Sequence, residues 1–266
     1  MTLRAFNHDG LNLAGYDRGE GAAVIFQHGL GGDVNQVNEH FPLDRFRCLT
    51  LECRAQGRSE AGPVANFSIP RFADDVLAFA DDCGLERFAI GGISMGAAIA
   101  LRLAVIAPER VSALILARPA WAWGDAPDNM QVFITLATYL RRGDRAGFEA
   151  SAVARHFATN APDNYASLLA AFTRPDPALF ADLISRIASS GPGLSEAQVS
   201  AIAVPTLVLG NEIDLIHPMS LAETLAATIP GSRKITLTPK AADKARHAAE
   251  FRAAVTSFLS ETGHST

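Results

Sequence analysis

Six short apolar runs alternate with helical patterns along this 266-residue chain, and that alternation leaves few ways to fold it. The runs Ala22 to Gln27, Cys48 to Cys53, Arg87 to Gly91, Ser112 to Ala117, Thr206 to Leu209 and Ile235 to Thr238 carry few charges, as strands covered on both faces do. Helical patterns occupy 69–82, 95–107, 218–228 and 247–260. Strand alternating with helix predicts a mostly parallel sheet with helices on both faces. Ahead of these, residues 1–20 alternate apolar and polar about Asp9-Gly10, which predicts a small antiparallel hairpin.

From about 120 to 200 no strand pattern appears and helices follow one another. The expectation is a core domain of residues 1–119 and 201–266, with a helical lid inserted over 120–200. Asp128 is placed to cap a helix that ends at Arg141-Arg142 before Gly143, and Asp144 to cap the next. Pro162 and Pro177 stand where further helices begin.

Charge and cysteine usage narrow the function classes. A net charge of -5, from 23 Lys+Arg against 28 Asp+Glu, leaves no basic stripe for nucleic acid. Cys48, Cys53 and Cys83 show neither a C-x-x-C nor a disulfide spacing, as suits a reducing compartment. No apolar stretch approaches the 18 or so residues of a bilayer span, and none at the start has signal-peptide length. The expected protein is cytoplasmic, with no nucleic-acid or membrane partner; monomer and homodimer both stay open.

The chemistry centres on Gly92-Ile-Ser94-Met-Gly96, which follows one strand and opens a helix. In that context G-x-S-x-G forms a tight turn whose glycines hold the serine hydroxyl clear of the backbone. A serine hydroxyl is a poor nucleophile at neutral pH, so Ser94 needs a base and an acid that orients the base. In this arrangement both lie C-terminal to it, acid before histidine. Asp214, after the strand Thr206 to Leu209, is the candidate acid, with Glu212 its competitor. His247, after the last strand, is the candidate base. His217 is its rival, but three residues after Asp214 it is too close in sequence to face Ser94 easily while that carboxylate orients it, and its expected place is in the pocket lining. His8, His40, His156 and His264 lie outside any motif and are expected at the surface. The oxyanion of a tetrahedral intermediate requires two backbone N–H donors, assigned to Met95 and to Leu30 in His28-Gly29-Leu30-Gly31-Gly32. That glycine run lacks the lysine of a phosphate-binding loop.

Together His28-Gly-Leu-Gly-Gly32, Gly92-Ile-Ser-Met-Gly96, Asp214 and His247 resemble the α/β-hydrolase superfamily. The segment Glu52-Cys-Arg54-Ala-Gln-Gly57-Arg-Ser59 is similar to the family's D-x-R-G-x-G-x-S, with Glu52 and Ala55 departing from it. Val204-Pro-Thr-Leu-Val-Leu-Gly210, followed by Asp214 and Pro218, is also a family pattern, whereas Arg246 stands where the family commonly has Gly. Within the superfamily the chain is most similar to the enol-lactonase and small-carboxylesterase branch. The resemblance implies about eight strands, a lid after the sixth, and no cofactor or metal. It implies a serine hydrolase of a small ester or lactone acting through an acyl-enzyme. C–C bond hydrolysis, or a cofactor-free oxygen or peroxide reaction, uses the same triad, and a non-catalytic small-molecule receptor is the third class.

Arg118, Trp121 and Trp123 follow the strand Ser112 to Ala117 at the edge where Ser94 stands. Arg118 there is a candidate for holding a substrate carboxylate, or else a surface arginine or the partner of an acid such as Asp125. The two tryptophans either wall the pocket or pack the lid onto the core. The apolar set Val132, Phe133, Leu136 and Leu140 reads as helix packing.

Overall fold

The computed structural model describes residues 2–264; Met1, Ser265 and Thr266, which the hairpin and core-domain expectations include, lie outside the described residues. One sheet contains β1 (Thr2–His8), β2 (Leu11–Arg18), β3 (Ala23–Gln27), β4 (Arg47–Leu51), β5 (Phe88–Ile93), β6 (Val111–Ala117), β7 (Thr206–Asn211) and β8 (Arg233–Leu237). Their order is β1-β2-β4-β3-β5-β6-β7-β8. β2 runs antiparallel to β1 and β4, and the remaining pairs are parallel. The hairpin turns at Asp9 and Gly10, with φ of 52° and 74°, as a two-residue connection requires.

The helices are α1 (Val34–His40), α2 (Ile69–Asp82), α3 (Met95–Ile106), α4 (Gln131–Arg142), α5 (Arg145–Glu149), α6 (Ala152–Asn160), α7 (Pro162–Ala170), α8 (Pro177–Ala188), α9 (Glu196–Ser200), α10 (Met219–Thr228) and α11 (Lys244–Glu261). Phe72, Leu103 and Leu225 of α2, α3 and α10 share one apolar cluster with the sheet. Val37 of α1 and Phe251, Val255 and Phe258 of α11 cover the other face. Every residue of β5 and β7 is buried as a result, so both read as apolar runs without alternation.

Several boundaries differ from the sequence reading. β5 continues through Gly92 and Ile93 because these pair with Leu116 and Ala117. β7 reaches Asn211 by pairing Gly210 and Asn211 with Thr236 and Leu237. The sequence pattern does not mark α1, whose seven residues are too few for a period to show; its one signal is Asp33, which accepts from the Asn35 N–H at 2.8 Å. Asp128 caps nothing: residues Asp128–Met130 form a 3-10 turn and α4 starts at Gln131 with no side-chain cap. Gly143 closes α4 in the left-handed region, and Asp144 caps α5 by accepting from the Gly147 N–H at 2.8 Å.

Helices α4 to α9 all lie between β6 and β7. Their buried side chains, among them Leu136, Phe148 and Ile184, belong to the same cluster as α2 and α3, so the insertion is seated on the sheet's own core. No helix of the described residues is long and apolar enough to cross a membrane.

Candidate active site

Three adjacent strands, β5, β6 and β7, are followed at their carboxyl ends by non-glycine residues at positive φ: Ser94 (58°), Arg118 (47°) and Ile213 (61°). Each such residue costs on the order of 1–3 kcal/mol and persists only where its surroundings enforce it. At Ser94 the enforcement is visible. Its N–H donates to Ala117 O at 2.9 Å and its carbonyl accepts from the Ala98 N–H at 3.1 Å. A Cβ on Gly92 would lie 2.5 Å from the Gly96 carbonyl carbon, and one on Gly96 2.7 Å from the Gln27 carbonyl carbon. Only glycine at both positions lets the turn close against the end of β3.

The loop after β3 is held from several sides. Gly29 N–H donates to Gln36 Oε1 (2.7 Å), Gly31 N–H to Gln56 Oε1 (2.6 Å) and Gly32 N–H to Gly29 O (2.9 Å). Within residues 29–32 that leaves the Leu30 N–H without a protein acceptor, and the Met95 N–H at the first turn of α3 is equally unbonded. His28 anchors the loop: its Nδ1 donates to Gly29 O at 2.8 Å and its Nε2 accepts from the Cys53 N–H at 3.0 Å. That pair of bonds requires a neutral imidazole, and burial lowers its pKa in the same sense. Gln56 comes from the Glu52–Ser59 loop, where Ala55 takes a positive φ of 60°. The Glu52 carboxylate accepts from the Arg58 N–H at 2.7 Å and the Val34 N–H at 3.2 Å. A Cβ on Gly57 would fall onto that carboxylate, so the longer acid fits because position 57 is glycine.

Asp214 is buried behind β7, while Glu212 is exposed. Its Oδ2 accepts from Arg118 Nε at 2.9 Å and Nη2 at 2.7 Å. Its Oδ1 accepts from the His217 N–H at 3.1 Å and faces His217 Nδ1 at 2.9 Å. Burial opposes ionisation of this carboxyl, but the Arg118 charge and the hydrogen bonds from His217 and Arg118 overcome it and hold Asp214 well below the usual carboxylate range. Burial lowers His217 against the opposing pull of the Asp214 carboxylate, with the nearby Arg118 charge adding to the lowering. The insertion fixes this loop: Asn164 Oδ1 of α7 accepts from the Leu215 N–H at 2.8 Å, and Asn129 Nδ2 donates to Ile216 O at 2.7 Å.

His247 is not joined to Asp214. Asp243 caps α11 and starts it three residues earlier than expected, which puts His247 in the second turn on one stripe with Phe251, Val255 and Phe258. Its ring lies edge-on to His40 at 6.0 Å, and its Nδ1 donates to Thr238 O at 2.8 Å. Thr238 is in turn held by Glu250, whose carboxylate accepts from its N–H at 2.7 Å and its hydroxyl at 3.0 Å. Those bonds, with Arg246, lower Glu250 to about 2. His247 Nε2 is buried with no partner. His40 and His264, expected at the surface, are buried, bonded to Gln36 O at 2.9 Å and Ser112 Oγ at 2.7 Å.

A cavity of about 290 Å³ opens over Ser94, between the sheet edge and the insertion. Ser94, Leu30, Arg118 and His217 line it; His247, Trp121 and Trp123 do not. Trp121 is 1% exposed and donates from Nε1 to Ser190 O at 2.8 Å, so it packs the insertion onto the core. Phe133 and Leu136 of α4 do face the cavity, contrary to a pure packing role. Two cations that no motif marked, Arg174 and Lys240, also line it. No hydrogen bond joins Ser94 to either His217 or His247.

A family model described as the alpha/beta hydrolase fold matches residues 22–192. A putative carbamate hydrolase, RutD, of Rhizobium rhizogenes is 32% identical over 224 residues, 80% of this chain and 84% of that protein. The solved enol-lactonase of Burkholderia xenovorans LB400 superposes with a TM-score of 0.74 at 22% identity, over 95% of this chain and 98% of that one. A bromoperoxidase from Bacillus anthracis reaches 0.75 at 16% identity, over 97% and 99%. The architecture is thus shared among proteins whose names span several chemistries.

Proposed function

This chain belongs to the alpha/beta hydrolase fold family, and from that premise we propose that it is a serine hydrolase of a small carboxylic ester or lactone. Ser94 is the nucleophile. His217, oriented through Nδ1 by Asp214, is the general base. The observation that carries this assignment is that one cavity is lined by both Ser94 and the imidazole bonded to the buried carboxylate.

In the acylation step Ser94 Oγ bonds to the substrate carbonyl carbon while His217 Nε2 takes the hydroxyl proton. The carbonyl oxygen becomes an oxyanion received by the Leu30 and Met95 N–H groups, each worth about 3 kcal/mol in the transition state. Collapse breaks the ester bond, and the proton on Nε2 passes to the departing alkoxide. Water then repeats the sequence on the acyl-serine. Asp214 stays ionised beside Arg118 and faces the imidazolium as it forms. This role requires the Ser94 hydroxyl and His217 Nε2 to come within hydrogen-bond reach in the substrate complex, where catalytic contacts of this kind commonly tighten. The helical insertion serves as the lid over this cavity.

A second reading keeps His247 as base. It rests on the Nδ1–H bond to Thr238 O, which fixes the tautomer and leaves Nε2 bare. Turnover of short esters and lactones by Ser94→Ala, His217→Gln and His247→Gln separates the two. Ser94→Ala is expected to lower kcat by about 10⁶ if the residues act as a unit. Comparable loss in His217→Gln with activity kept in His247→Gln supports the first reading; the reverse supports the second. Activity retained by Ser94→Ala overturns both.

A further inference from the structure

Arg174 and Lys240 enter the cavity from opposite structural units, Arg174 from the insertion just before α8 and Lys240 from the segment after β8. Neither has a carboxylate oxygen within 4 Å among the described ion pairs. The third cation lining the cavity, Arg118, is already committed to Asp214. Asp163 is the one acid among the lining residues, and Lys244 lies 3.6 Å from its Oδ1. The cavity therefore holds more positive charge than its own acids neutralise. Burial pushes both Arg174 and Lys240 below their usual values, and the more distant carboxylates, Asp33 for Arg174 and Asp163 and Glu39 for Lys240, do not offset it.

Arg174 is also positioned in advance. Its guanidinium carbon sits 4.0 Å from the Phe180 ring centroid, and one Nη donates to Gly31 O in the loop that supplies the Leu30 N–H. A side chain fixed in this way over an aromatic face loses little freedom when it receives an anion. We infer that this cavity takes substrates bearing a free carboxylate in addition to the scissile ester or lactone, and that Arg174 and Lys240 receive that carboxylate. The inference rests on reading the cavity as the substrate site. At about 290 Å³ the cavity is at the small end for ligand sites, so the two functional groups belong to one short molecule.

The test pairs turnover with binding. Monoethyl glutarate and diethyl glutarate differ by the one free carboxylate, and the wild-type protein is expected to prefer the mono-acid by at least about tenfold in kcat/KM. Arg174→Gln and Lys240→Met are each expected to reduce that preference, chiefly through KM for the acid. Independently of turnover, calorimetry on Ser94→Ala is expected to show glutarate binding more tightly than glutaramide, with the difference lost when Lys240→Met is added. The Lys240 side chain forms no hydrogen bond or ion pair among the described residues, so this variant stays informative if Arg174→Gln fails to fold. Equal treatment of the acid and the neutral compound, or a preference untouched in both variants, overturns the inference. Glutarate binding that depends on Lys240, in a protein that hydrolyses neither ester, sustains the anion site and overturns the hydrolase reading alone.

Discussion

Arg118 donates both Nε and Nη2 to Asp214 Oδ2, and His217 Nδ1 faces both oxygens of the same carboxylate, 2.9 Å from Oδ1 and 3.0 Å from Oδ2. Of the places the sequence offered this arginine, pairing with an acid is the one seen, the acid being Asp214 rather than Asp125, and Arg118 also lines the cavity. Its own backbone is held for this, with φ at 47° and the N–H bonded to Leu209 O at 2.7 Å.

Removing that arginine leaves Asp214, whose side chain is 2% exposed, without its cationic partner. Breaking a buried ion pair from one side costs about 3–5 kcal/mol. Arg118→Met is expected to lose stability of that order in urea unfolding. A loss under about 1 kcal/mol would show that the carboxylate is solvated well enough without it.

With His217 as the proposed base, its lowered pKa sets the pH dependence of kcat/KM. An imidazole must be neutral to act as base, and a depressed pKa keeps it neutral further into acid. The acid limb of the profile is expected below the ordinary imidazole value of about 6.5. Arg118 is one cause of the depression, so a folded Arg118→Lys variant keeps the limb low while Arg118→Met moves it upward. A midpoint above 6.5 in the wild-type protein would contradict this.

Stability should also fall in mild acid through His28. Its folded pKa is depressed by burial, so the unfolded chain takes up the proton first. The stabilisation is complete above about pH 6.5 and is lost progressively as the pH falls from there towards the folded pKa. Thermal melting across pH 5–8 is expected to show a shallower acid slope for His28→Asn than for the wild type. Equal slopes would assign the acid sensitivity elsewhere.

Gly96→Ala tests the elbow. The added methyl meets the end of β3 rather than a flexible side chain, and the strand and helix must part. Overpacking of this kind costs about 1–3 kcal/mol. Activity is expected to fall more than stability alone explains, because Ser94 moves with the turn. Unchanged kcat would place the nucleophile elsewhere.

The parallel sheet, its longer helices and the serine turn were legible in the sequence because local rules govern them: uninterrupted apolar runs for strands covered on both faces, period 3.6 for helices, and glycines where the backbone closes on itself. Which of the two candidate histidines, His217 or His247, bonds Asp214 was not. His247 occupies the expected place in chain order, but Asp243 starts α11 early, the helical period aligns His247 with Phe251, Val255 and Phe258, and its ring is not among the cavity lining. That stripe was readable in the sequence; its orientation against the sheet was not. Sequence order determined which residues reach the carboxyl edge. Tertiary packing decided which of them touch, since Arg118, Asp214 and His217 meet through the curl of backbone at Ile213 and the grip of Asn164 on the following loop. Arg174 and Lys240 carry no local pattern at all: side chains 66 positions apart share a cavity only because the insertion folds back over the sheet edge, and long-range contacts of that kind leave no periodicity behind.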